Sequence, residues 1–173
     1  VNNIYKTENE RGNTMPELIL EESTDENGEP TQEFAFVCIP ENEILEAEIL
    51  DINVQDGFFW VDPEDESLGK QKEVSFKFNI TEEGKYKGIW VWGSTSTLFN
   101  THANCKLRLW TEEILGVDEG LPVDFSLNTD DLEGQKVRVI ISNYYSKKHA
   151  DTRHKVSDLQ RLPSGSTPDN DAF

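Results

Sequence analysis

The chain has 173 residues, with 35% hydrophobic and 10% aromatic residues and a formal charge of −18. That length suits one domain with tails, and four Trp with nine Phe exclude a wholly disordered chain. No apolar run approaches the ~18 residues of a membrane span, and the bulk charge argues against a generic polyanion binder.

The charge is uneven. Residues 1–66 hold nineteen Asp and Glu against two Lys and Arg, whereas residues 67–161 hold thirteen against fourteen. Net charge therefore says little about a binding face in the second half. The polar N-terminus, VNNIYKTENERGN, has no apolar signal core, so a soluble, cytoplasmic protein is the expectation. Cys38 and Cys105 are too few for a disulfide framework and are expected as free thiols.

Residues 1–16 read as a loose polar arm. Two apolar runs follow, Leu18–Leu20 and Phe34–Val37, separated by an acidic stretch with an Asn27-Gly28 turn signal. They predict a hairpin-like N-terminal element. Ile44–Val54 reads as a strand whose alternation changes phase: Leu45, Ala47 and Ile49, then Leu50, Ile52 and Val54. One extra residue re-aims every later side chain, so a β-bulge is predicted there.

Asp56–Lys72 reads as a loop. EVSFKFNI then alternates cleanly, with Val74, Phe76, Phe78 and Ile80 on one face. Lys85–Ser94 reads as the next strand, with Tyr86, Trp90 and Trp92 on one face and Ile89 and Val91 on the other. The period then becomes helical. Asn104 is an N-cap candidate, Leu107, Trp110 and Ile114 recur at helical spacing, and Gly116 fits a C′ position. Val117–Glu133 reads as a loop and KVRVII (136–141) as a strand. Ser146–Lys155 reads as a basic loop and residues 154–162 as a last short strand. From Pro163 the composition is that of a flexible acidic tail.

From residue 44 to 162 the order is strand, strand, strand, helix, strand, strand. That is the order of an OB-like five-stranded barrel with one α-helix between strands 3 and 4. The expected division is an acidic arm and extension (1–43), an OB-like domain (44–162) and a tail (163–173).

Three features carry chemistry. Trp90 and Trp92 lie near Lys77, Lys85 and Lys87, and rings interleaved with ammonium groups suit a single nucleic-acid strand. The competing reading puts both indoles in the core. Asn143–Arg161 holds Tyr144 and Tyr145 at its root, then Lys147, Lys148, Arg153 and Lys155. In an OB barrel this is one of the loops that grip oligonucleotides; the competing reading is a solvated hairpin tip. The terminal PDNDAF places Asp169 and Asp171 before Phe173, an acidic aromatic tip suited to a basic-rimmed apolar pocket on a partner.

Catalytic patterns are weak. His102-Ala-Asn-Cys105 has metal-like spacing but no second pair. His149 and His154 sit in the basic segment, where charge or hydrogen bonding is the expected role. Glu83-Gly-Lys85 is a nuclease-like spacing, common in any charged chain. Walker, HExxH, GxSxG and GxGxxG patterns do not occur.

Residues 72–162 resemble a small OB-like family of phage-encoded single-stranded DNA-binding proteins, often of unassigned function and encoded beside replication and recombination genes. The resemblance rests on KYKG at 85–88, WTEEILG at 110–116, DDLEGQKVRV at 130–139 and RHKVSDL at 153–159. The terminal DNDAF is similar to the acidic, Phe-ended tips of bacterial and phage single-strand binding proteins, which recruit partners and compete with DNA. The acidic extension (1–43) departs from that pattern.

The resulting expectation is non-enzymatic, sequence-tolerant binding of single-stranded DNA in phage replication or recombination, with no cofactor, metal or membrane. Trp90, Trp92, Tyr86, Tyr144 and Tyr145 would stack bases. Lys77, Lys87, Lys147, Lys148, Arg153 and Lys155 would meet phosphates. Asp169, Asp171 and Phe173 would meet replication or recombination proteins, and a homo-oligomer is left open. Two rivals remain: a carbohydrate-binding module using the surface Trp, and a virion structural or assembly protein using the same aromatics as an interface.

Overall fold

A computed structural model describes residues 6–8, 14–16 and 36–163. The chain divides into a unit of residues 1–37 and a unit of residues 38–173. In the first, β1 (Lys6–Glu8) pairs antiparallel with β2 (Thr14–Pro16), with Thr7 opposite Met15. The arm expected to be loose therefore carries a short ladder. The hairpin expected around Asn27-Gly28 lies outside the described residues, as does the tail from residue 164.

The second unit is mainly β: β3 (Ile44–Trp60), β4 (Lys70–Ile80), β5 (Trp90–Ser96), α1 (Lys106–Leu115), β6 (Lys136–Ser146) and β7 (Asp151–Gln160). The five strands form one antiparallel sheet of order β5-β4-β3-β6-β7. β3 is the long central strand. Its first part pairs with β6 on one side, from Ile44–Ile140 to Glu48–Lys136, and with β4 on the other. The predicted bulge is there: the β3–β4 register shifts between Ile49 and Asp51. Leu45, Ala47 and Ile49 point in, Leu50 turns out, and Ile52 points in again. The bulge falls where β3 leaves β6, so the strand changes direction as it loses one neighbour.

Beyond Ile52 the inward alternation ends, and Val54 is exposed. The strand nevertheless continues to Trp60, and β4 begins at Lys70. The loop expected over 56–72 is thus a two-stranded arm closed by residues 61–69, with a 3₁₀ turn at Glu66–Leu68. The Asp65 carboxylate accepts from Ser67 N at 3.1 Å, and Gly69 takes φ 76°. An arm with two wet faces has no hydrophobic alternation to read, which hid it from periodicity.

Two further boundaries differ for local reasons. β5 starts at Trp90, not Lys85, because Gly84 and Gly88 take φ of 139° and 84° and bend the chain. Gly88 N donates to Ile80 O at 2.8 Å and closes that turn. The basic loop shrinks to residues 147–150, since β6 runs to Ser146 and β7 begins at Asp151, with Ala150 at φ 49°.

α1 buries Leu107, Trp110, Thr111 and Ile114. Cys105, not Asn104, is its N-cap, and Gly116 ends it at φ 67°. Both cysteines are free, and the Cys105 thiol donates to Leu98 O at 3.1 Å. Trp110 is fully buried. Its ring meets Phe76 edge-on at 5.2 Å and Phe78 at 6.4 Å, and its indole N–H donates to Asp158 Oδ1 at 3.0 Å.

The chain enters this unit through Ile39, which is buried ahead of β3. Its N–H donates to His154 Nδ1 at 3.0 Å. With its nitrogen turned toward Ile39, the Asn143 amide donates to Ile39 O at 2.9 Å. Asn143 and His154 are cross-strand partners, so one rung of the β6–β7 ladder clamps this residue.

The edges β5 and β7 approach closely, and no ladder joins them among the described residues. Gly93 faces inward at that approach. A Cβ there would lie 2.8 Å from Trp110 Cη2 and 2.9 Å from both Cβ and O of Val156. Gly93→Ala is therefore expected to lower stability by roughly 1–3 kcal/mol through overpacking. Urea unfolding would show a lower midpoint with an unchanged slope.

Candidate nucleic-acid interface

Alternation sets which side chains reach the surface. On β4, Val74, Phe76, Phe78 and Ile80 fill the core, so Glu73, Ser75 and Lys77 face out. On β5, Val91, Gly93 and Thr95 point in, so Trp90, Trp92 and Ser94 point out. Trp90 and Trp92 are 52% and 49% exposed, which excludes the reading that they fill the core. Register places Lys77 beside Trp92. Its ammonium lies 3.5 Å from the Trp90 centroid and 5.8 Å from that of Trp92, within cation–π range of both.

The β6–β7 turn supplies a second group. Tyr144 and Tyr145 lie near the end of β6 and are 46% and 65% exposed. Lys155 follows on β7, its Nζ 5.7 Å from the Tyr144 centroid. Lys147 and Lys148 form the turn itself. Because Gly93 backs onto Val156, this turn stands beside the outer face of β5.

A cleft of about 1000 Å³ lies between them. Lys77, Trp92, Tyr144, Tyr145, Lys147, Lys148 and Lys155 all line it. Seven of the eleven residues expected at the site thus share one surface, and Trp90 flanks it through Lys77. Four lysines face two carboxylates, Asp51 and Glu73, so the cleft carries excess positive charge on an acidic chain.

Three expected residues lie elsewhere. Tyr86 does not share the face of Trp90: the glycine-flanked turn folds it into the core at 8% exposure. Lys87 sits in the same turn and pairs with Glu83, four residues before it. That pair also accounts for the nuclease-like Glu83. Arg153 is partly buried opposite Tyr144 and does not line the cleft. Asp169, Asp171 and Phe173 lie outside the described residues. The His102–Cys105 spacing closes a turn into α1: Cys105 N donates to His102 O, and Asn104 N to His102 Nδ1.

The arm adds residues that periodicity missed. Phe58 and Phe59 are 82% and 69% exposed, meet edge-on at 5.4 Å, and line the cleft. They also line a second hollow of about 500 Å³ with Trp60, Val61, Pro63, Lys70 and Gln71. Lys70 lies 5.3 Å from the Trp60 centroid. The Phe-Phe-Trp run was the available signal: three large apolar residues in an otherwise charged stretch.

Beneath the cleft, Lys106 of α1 donates to Ser94 O at 3.1 Å, and its ammonium lies 4.5 Å from the Trp110 centroid. Burial pushes its pKa down; Asp158 opposes this and Lys155 adds to it. On the arm, the hydrogen bond and charge of Lys72 hold Asp56 below the usual carboxylate range. Tyr86 raises the Lys85 pKa.

Among the described residues, no group of three or more His, Cys, Asp and Glu could hold a metal ion. Nor is any described helix long and apolar enough to cross a membrane. No protein-family model matches the chain, and no curated protein matches it in sequence.

His154 yields a pH prediction. Burial, then the charge of Arg153, lowers its pKa below 6.5, and its Nδ1 accepts the Ile39 N–H. In the window between the two values the unfolded chain binds more protons. This contribution is therefore complete above about pH 6.5 and is lost as pH falls through that window. Relative to His154→Gln, which retains an acceptor, the wild type should lose melting temperature between about pH 7.5 and pH 5.5. Parallel melting curves of the two proteins check this.

Proposed function

We propose that this chain binds single-stranded DNA through an OB-like barrel, without catalysis. The observation that carries the reading is the cleft: three expected rings and four lysines, contributed by β4, β5 and the β6–β7 hairpin, line a single surface. Rings stack on bases of any identity, and lysines release the counterions of the phosphates they meet. Trp92, Tyr144 and Tyr145 are the stacking groups, with Phe58 and Phe59 extending the row onto the arm. Lys77, Lys147, Lys148 and Lys155 are the phosphate groups.

The barrel reading is supported by the strand order, the bulge in the first long strand, the helix before the fourth strand of the sheet, and the packing of β5 on β7. In this reading the protein serves phage replication or recombination in the host cytoplasm. The Asp169–Phe173 tip recruits partner proteins or competes for the cleft. Four lysines around the rings favour a polyanion over a neutral sugar.

Titration with oligo-dT should quench tryptophan fluorescence, and the apparent affinity should fall steeply with salt. Single strands give a log–log slope of about −0.7 per phosphate contact. Replacing Lys147 and Lys148 with Ala should therefore shrink the slope by about 1.4. Absence of quenching at low salt, or affinity insensitive to salt, would overturn the reading.

A further inference from the structure

The two sides of the cleft differ in chemistry. Register across β3, β4 and β5 places Asp51, Lys77 and Trp92 on one row, then Asn53, Ser75 and Ser94, then Gln55, Glu73 and Ser96. Lys147, Lys148 and Lys155 stand on the β7 side, next to β5. From β5 to the 51–55 stretch of β3 the floor therefore passes from rings and ammonium groups to carboxylates and amides, with Phe58 and Phe59 beyond that stretch on the arm. Neighbouring strands are about 4.8 Å apart, so Asp51 lies roughly 10 Å from the backbone of Trp92.

The β3 side is also organised internally. Asn53 Nδ2 donates to Asp51 Oδ2 at 2.5 Å, and Gln55 Nε2 donates to Glu73 Oε1 at 2.9 Å. The amides spend donors on the acids, which leaves this side rich in acceptor oxygens. Carboxylates repel phosphates, so a strand in the cleft would keep its backbone on the lysine side and turn base edges toward β3.

Bases are not equal before such a row. Guanine offers two adjacent donors, N1–H and the 2-amino group, which match the two oxygens of a carboxylate. Cytosine and adenine offer one amine beside an acceptor. Thymine offers one imide N–H between two carbonyl oxygens, which a carboxylate repels. We propose that the cleft grades the bases it stacks, with guanine best and thymine worst, and that Asp51, seconded by Glu73, is the accepting group. This rests on the single-strand reading above and adds a preference to a sequence-tolerant site.

The test compares dT₁₂, d(CT)₆, d(GT)₆ and d(IT)₆ by fluorescence titration, all four at the same low and the same high salt concentration. Inosine keeps N1–H and lacks the 2-amino group. The expected order is d(GT)₆ tightest, by about tenfold over dT₁₂, the worth of one charge-assisted hydrogen bond. d(IT)₆ should fall back toward dT₁₂. Asp51→Asn and Glu73→Gln together should bind dT₁₂ more tightly, having lost two negative charges, and should erase the guanine preference. Equal, salt-sensitive binding of all four oligonucleotides would overturn the preference and leave the single-strand reading standing. A preference that survives both substitutions, or one indifferent to the 2-amino group, would overturn the assignment to this row. Absence of binding by any oligonucleotide would overturn both.

Discussion

The contact on which the site depends is that of Gly93 with Val156 over the Trp110 indole. Two sheet edges meet there without a shared ladder, so side-chain packing has to hold them. Glycine is required because a Cβ would strike backbone, side chain and ring together. Trp110 fills the space behind, anchored by Phe76 on β4 and by the Asp158 carboxylate on β7. Buried aromatic contacts of this kind contribute about 0.5–1.5 kcal/mol beyond the area they bury.

The surface follows from that contact through strand alternation. Where Gly93 points in, Trp92 and Ser94 must point out; where Val156 points in, Lys155 must point out. Bringing the two inward residues together brings the two outward sets together on the far side. Tyr144 and Tyr145 follow, since Ile141 pairs with Val156 and β6 continues from there. Residues more than fifty positions apart thus form one cleft, with excess positive charge on a chain of net charge −18.

Parts of this were legible in the sequence because burial is one-sided there. Val74 to Ile80 announce β4, and Leu107, Trp110 and Ile114 announce α1. The phase change near Leu50 announces the bulge. The residues that escaped lie where that signal is absent. The arm of β3 and β4 has no buried face to impose a period, so Phe58 and Phe59 read as loop. Tyr86 appears in phase with Trp90, but Gly84 and Gly88 lie around it, and a positive φ breaks the count on which phase depends. Residue type alone does not tell a cleft lysine from one paired with a neighbouring glutamate, as Lys87 is, or a cleft arginine from one partly buried on its strand, as Arg153 is.

Cross-link mapping would show directly whether a single strand lies in this cleft. A short oligo-dT carrying a photoreactive uracil would be irradiated on the full chain and the adducts located by mass spectrometry. Adducts are expected on Trp92, Tyr144, Tyr145, Phe58 or Phe59 and should be lost at high salt. Adducts confined to residues outside the cleft, such as Phe99 and Phe125, would contradict this placement.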